Sequence, residues 1–264
     1  MIKNFKKKLE NIYLKFNQYQ YIDPDPLLFL YNYSEKKNRE IAGFIAACLA
    51  YGRVEQIMKT VSLVLDKLKP SPFDYLMHKT KKDIEKDFTN FQYRFAKGIH
   101  LINLLWGIKQ VLFRFDSLEN CFYKGWAPED ETILPGLTFF SQQIDENKKA
   151  GHLLADPLKK SACKRSILYL RWMVRNDDVD PGGWRKINTS QLIVPLDTHM
   201  HKIGKMLGFT VRKSADMKTA LEITKGFKNF SKNDPVKYDF CLTRFGIQRD
   251  MNIEQLVEFM YSDL

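Results

Sequence analysis

Residues 160–199 read KSACKRSILYLRWMVRNDDVDPGGWRKINTSQLIVPLDTH, and the reading of the fold turns on them. The first part, 161–175, is apolar at helical spacing with basic residues at both ends, the pattern of a buried helix. NDDVDPGGW then gathers Asp, Pro and Gly, the chemistry of a loop. The apolar run LIVPL leads to Asp197, and helical periodicity resumes over about 198–208. Asp197 is placed to cap that helix, its carboxylate accepting from the amides near His199 and Met200.

Working outward, the same periodicity covers most of the chain. An amphipathic basic helix is expected over 3–18. Pro24 and Pro26 start a new element, and Ser34 is placed to cap a helix running to Tyr51, where Gly52 breaks it. Further helices fit 54–69, ending before Pro70 and Pro72, then 97–115, 131–148, 215–228, 235–245 and 253–262. Asp234 and Pro235 supply an N-cap and a first-turn proline. No strand, internal repeat or low-complexity tract stands out. The fold class is all-α.

The chain has 264 residues, enough for one large domain or two small ones sharing a cleft. Its 44% hydrophobic and 28% charged residues are ordinary for a globular protein and exclude disorder as the main state. A net charge of +11 favours a polyanionic partner, nucleic acid before an anionic membrane surface. A charge surplus that only keeps the protein in solution is the plainer alternative. The longest apolar run, 44–51, is too short to span a bilayer. The basic N-terminus lacks the apolar centre of a signal peptide, so a cytoplasmic location is expected. Cys48, Cys121, Cys163 and Cys241 are far apart, which argues against structural zinc and iron–sulfur clusters and for reduced thiols. His199 and His201 stand two apart on a helix and do not converge on one ion. No metal and no cofactor is expected.

PLDTHMHKIGKMLGF resembles the segment that carries the catalytic aspartate in helix-hairpin-helix (HhH-GPD) DNA glycosylases. KRSILYLRW resembles the preceding helix, which opens on the catalytic lysine in members with lyase activity. FIAACLAYGRVEQIMKTVSLVLDKL resembles the early helix pair with its DNA-facing turn, and DPVKYDFCLTRFG the late helix that closes the pocket. The spacing from Lys164 to Asp197 is longer than in most branches and closer to that of the archaeal 8-oxoguanine glycosylases, which it resembles in this respect. The set KR…LRWMVR…DPGGW…PLDTH…DPVKYDF is also similar to a bacterial family of unknown function at the superfamily's edge. The resemblance covers roughly residues 25–250. It departs from the superfamily in three places. The glycine-bearing hairpin before the lysine is replaced by ADPLKKSACKR. The early turn reads Tyr51-Gly52-Arg53 where a Gln or Asn often fills the gap left by an extruded base. The iron–sulfur ligands of some branches are absent.

The resemblance implies a two-lobed helical protein, with one lobe over 26–175 and the other over 1–25 plus 176–264, and a site in the cleft between them. It implies base excision repair on duplex DNA carrying a damaged or modified base, with or without lyase activity. Lys164 would attack the sugar and Asp197 would stabilise its developing positive charge. Arg53, or Tyr51, would fill the gap. Lys159 and Lys160 would replace the hairpin amides by charge. Arg165, Arg171 and Lys202 would contact phosphates, together with Arg175, Lys205, Arg212 and Lys213, and either Lys237 or Asp239, in DPVKYDF, would hydrogen-bond a base edge. Trp184 would stack on a base or sugar. Each has a plainer alternative: Lys164 as a surface lysine opening a helix, Trp184 as a loop anchor, the basic residues as a solvated face. A non-catalytic nucleic-acid-binding protein and a purely structural protein stay open beside the enzyme.

Overall fold

Short polar side chains start many of the helices. Ser71, Thr80, Ser117, Asp197, Asp216 and Asn252 each accept a bond from a first-turn amide, which satisfies donors the helix itself cannot. In the computed structural model, which describes residues 2–247 and 252–262, thirteen α-helices follow in order among the described residues. They are α1 (Ile2–Phe16), α2 (Lys36–Leu49), α3 (Val54–Lys67), α4 (Pro72–His78) and α5 (Lys81–Phe88), then α6 (Gly98–Phe115), α7 (Leu118–Lys124), α8 (Leu134–Ile144) and α9 (Lys164–Val174). The last four are α10 (Thr198–Met206), α11 (Met217–Lys228), α12 (Asp239–Ile247) and α13 (Ile253–Tyr261). The protein is all-α apart from one hairpin, β1 (Gln92–Tyr93) with β2 (Ala96–Lys97), paired antiparallel. No described helix is long and apolar enough to cross a membrane.

The core is built on α2, buried from Glu40 to Leu49. It packs against α3, α4, α7, α9 and the 3-10 turn Pro26–Asn32. Its alanines let those neighbours approach closely. The later helices pack differently: α10 lies on α12, and α1 lies on α12 and α13. Glu10 on α1 accepts from Lys237 Nζ at 2.7 Å and from the Tyr238 hydroxyl at 2.6 Å, fixing the basic N-terminal helix to the end of the chain.

Several expectations are corrected. Helix α2 begins at Lys36 after Glu35, with no side-chain cap, so Ser34 is not its cap. The pattern at 131–148 is helical only over Leu134–Ile144. There the Asp145 carboxylate takes the amides of Lys149 and Ala150 and ends the run. Asp234 and Pro235 do not open a helix. Residues 235–238 form turns and α12 starts at Asp239. The Asp234 carboxylate instead pairs through Oδ2 with Arg175 Nε at 2.9 Å, and its buried Oδ1 takes no amide. Helices α4, α5 and α7 and the hairpin were not expected. All four cysteines are buried and unbridged. Residue 1 and residues 248–251 and 263–264, which the expected lobes include, lie outside the described residues.

Candidate active site

Three helix starts bring the candidate groups together. Cys163 adopts a left-handed conformation (φ 48°) and turns the chain into α9, whose first residue is Lys164. Ser161 pairs with Asp216 in an isolated antiparallel bridge, tethering this entry to the start of α11. Asp197 is the N-cap of α10, and its Oδ1 accepts from the Met200 amide at 2.8 Å. Its Oδ2 lies 4.0 Å from Lys164 Nζ, with the two side chains 31% and 26% exposed. Capping and pairing therefore use different oxygens, and Asp197 does both.

Asp239, at the start of α12, is the third group. Its Oδ2 accepts from Arg171 Nη1 at 2.5 Å, while its buried Oδ1 has no partner. Burial pushes the Asp239 carboxyl up to about 6, with Arg171 opposing, Asp197 adding to the rise and Lys164 opposing it. Helices α10 and α12 approach closely because position 246 is glycine; a Cβ there would stand 2.1 Å from His199 Nδ1. The arrangement offers an amine with two carboxylates, one open to solvent and one sealed. An amine so placed can act as a nucleophile, and the open carboxylate can stabilise a nearby cation.

The other expected residues divide sharply. Arg53 is exposed at the turn after α2, Lys202 is exposed on α10, and Lys159 and Lys160 are exposed before α9. The turn at 156–160 does not offer its amides outward: Asp156 accepts from the Leu158 amide with Oδ1 and from the Lys159 amide with its carbonyl. Lys205 and Lys213 are exposed, whereas Arg212 is paired with Asp216 at 2.8 Å.

Six assignments are corrected. Arg171 is not a phosphate contact, since its guanidinium is sealed between Asp180 and Asp239. Arg175 is likewise held by Asp177, Asp180 and Asp234. Trp184 does not present its ring to a ligand. It packs among Phe122, Phe140 and Tyr169, and its Nε1 donates to Glu40 at 3.0 Å. Arg165 points inward, donating to the carbonyls of Cys48 and His152 over the Tyr51 ring. Lys237 pairs with Glu10 at 2.7 Å, which offsets its charge. Tyr51 is not free to fill a gap, because its hydroxyl donates to the Tyr93 carbonyl at 3.0 Å.

The sequence reading missed two features. Glu40, in the middle of α2, is buried against the first amides of α7 and against Trp184, and burial pushes its carboxyl up to about 7. A cluster of Tyr51, Tyr93, Phe95, His100 and His152 also surrounds the hairpin. The only signal for either was a charge or ring without an evident purpose. An open cavity of about 500 Å³ lies beside the start of α9, with His152, Asp156, Lys159 and Arg165 in its wall; Lys164, Asp197 and Asp239 do not line it. Among the described residues, no three His, Cys, Asp or Glu side chains converge as a metal site.

Residues 25–248 match the family described as "Protein of unknown function (DUF2400)", and the chain belongs to that family. Neither the curated proteins nor the solved structures contain a match.

Proposed function

We propose that the protein is a DNA-base-excision enzyme of the helix-hairpin-helix glycosylase type, with Lys164 as the nucleophile and Asp197 as the electrostatic partner. The observation that carries this reading is the 4.0 Å approach of Lys164 Nζ to the uncapped oxygen of Asp197, in a setting both side chains share with solvent. The substrate base must leave the duplex before the bond to its sugar can be cut. Lys164 Nζ, after giving up a proton to solvent, attacks the sugar carbon as the base departs with the bonding electrons and takes a proton from solvent; one of the two protons left on the nitrogen then passes to the ring oxygen as the ring opens to the Schiff base, and the Asp197 carboxylate offsets the positive charge that builds on the sugar. Lys159, Lys160, Lys202 and Arg53 supply exposed positive charge for phosphates.

Helix pairing supports the proposed two lobes. Helices α2 to α9 pack on one another, and α1, α10, α12 and α13 on one another. Lys164 and Asp197 then come from opposite sides of the division.

Borohydride trapping on duplexes carrying 8-oxoguanine, uracil or an abasic site tests the reading. A covalent adduct lost in Lys164→Ala, with excision slowed in Asp197→Asn, is the expected result. No adduct, excision or nick on any duplex of a broad panel would sink the enzyme claim. The second reading, a nucleic-acid-binding protein without turnover, is favoured by one observation: the cavity beside the start of α9 is walled by Lys159 and Arg165 but by neither Lys164 nor Asp197. It predicts salt-dependent duplex binding that survives Asp197→Asn, with no turnover in the wild type.

A further inference from the structure

The hairpin β1–β2 is only two residues on each strand, yet it is held from several sides. Its turn is Arg94-Phe95, with Arg94 in a left-handed conformation (φ 51°). Tyr93 and Tyr51 exchange hydroxyl-to-carbonyl bonds, and their rings stand 4.8 Å apart. Gly52 has φ 103°, a conformation that favours glycine, and the Arg94 side chain lies across it. The Tyr51 hydroxyl spends its proton on Tyr93, so it accepts from His152 Nε2, 3.1 Å away. That places a proton on His152 Nε2. Burial and Arg165 hold His152 below the ordinary imidazole range.

On this braced platform one ring is left outside. Phe95 is 72% exposed, with its ring centroid 6.0 Å from that of His152 and 5.8 Å from the Arg94 guanidinium. An apolar ring on a well-fixed tip is costly to leave in water, and such a ring beside a guanidinium suits a flat, electron-rich partner. The surroundings are basic. Residues 89–115 contain Arg94, Lys97, Lys109 and Arg114 and no Asp or Glu, and Arg53 is exposed at the adjoining turn.

We infer that Phe95 is a stacking residue for an unpaired nucleobase, presented by the hairpin while Arg53, Arg94 and Lys97 take the flanking phosphates. Every base has a π-face, so such a contact tolerates sequence but favours strands whose bases are not already stacked. The inference rests on DNA being the partner and deepens that reading by naming the state of the DNA that is recognised.

The test compares wild type, Phe95→Ala and Phe95→Trp in binding a fluorescein-labelled single strand, a duplex with one abasic site and a fully paired duplex. Phosphatidylserine-containing vesicles form a fourth arm. Phe95 is exposed, so both variants are expected to melt with wild type. Phe95→Ala should lose about tenfold in affinity for the single strand and the abasic duplex and much less for the paired duplex, and Phe95→Trp should restore it. The dependence on salt should be the same in all three proteins, because no charge has changed. Wild-type binding to DNA that Phe95→Ala leaves untouched overturns the inference and leaves the proposed function standing. Wild type that binds no DNA overturns both. Vesicle binding that Phe95→Ala abolishes, with DNA binding unchanged, assigns the ring to a lipid surface and also overturns it.

Discussion

The two ends of α9 carry the same kinds of charge and use them in opposite ways. At its start, Lys164 stands 4.0 Å from Asp197, and solvent reaches both. Near its end, Arg171 lies 3.1 Å from Asp180 and 2.5 Å from Asp239, with side chains only 0–4% exposed. Arg175 adds Asp177 and Asp234 to the same network. A sealed network of this kind holds the loop after α9, the turn before α12 and α12 itself in one arrangement. An open, loosely spaced pair holds little and is left available to a ligand. On the proposed function, one helix separates the work of fixing the fold from that of meeting a partner.

The largest expected effect would come from the sealed end. Asp180→Ala leaves two buried guanidinium groups short of a carboxylate and should cost about 3–5 kcal/mol in chemical denaturation. A variant as stable as wild type would erase the distinction drawn here. Trp184→Phe removes the donor to Glu40 and should cost about 1–3 kcal/mol by the same measurement, since a buried carboxylate oxygen loses a partner. Glu40 and Asp239 give the comparison a pH signature. Their carboxyls sit at about 7 and about 6 in the folded protein, against ordinary values of 4.5 and 3.8. A folded value above the unfolded one means stability that is present below the unfolded value and lost as pH rises through the folded one. Stability measured from pH about 4 to about 8 should therefore decline less steeply in Glu40→Gln than in wild type; parallel curves would contradict the burial argument. Lys164→Ala should change stability by no more than about 1 kcal/mol, as expected for a partly exposed pair, while abolishing any trapped adduct. A large loss of stability would turn the open pair into a structural one. Lys237→Ala, at a similarly exposed pair with Glu10, should shift the melting free energy by about 0–1 kcal/mol.

The long helices were legible because their periodicity is unambiguous: α6 and α9 have the expected extent to within a few residues. The short ones, α4, α5 and α7, each have two turns or so, too few for a period to show. Their starts are marked only by the caps Ser71, Thr80 and Ser117, residue types that are equally common in turns. The misread start at Asp234 has a different cause. An aspartate before a proline reads locally as a cap, but the carboxylate is claimed by Arg175, 59 residues away in sequence. Arg171 was misassigned for a related reason. A lone arginine inside SILYLRWMV is where a buried ion pair announces itself, and the net charge of the chain drew attention outward instead. The 4.0 Å approach of Lys164 to Asp197 followed the expected helix starts, whereas the part played by Asp239 depends on a fold-level convergence that no local pattern encodes.

The docking of α1 has a consequence for the order in which the protein matures. Its apolar side, Leu9, Ile12 and Phe16, is buried, and Glu10 reaches Lys237, 227 positions later. On a ribosome adding about 5–20 residues per second, that helix waits roughly 11–45 s before its main partner exists. During synthesis it is a basic, amphipathic segment with an uncovered apolar stripe, the kind of surface a chaperone holds. Ribosome-bound chains stopped at residue 230 should lose α1 to a protease that leaves the α2–α9 assembly intact, and chains extended past α13 should keep it. Protection of α1 in the shorter chains would show that an earlier element covers it.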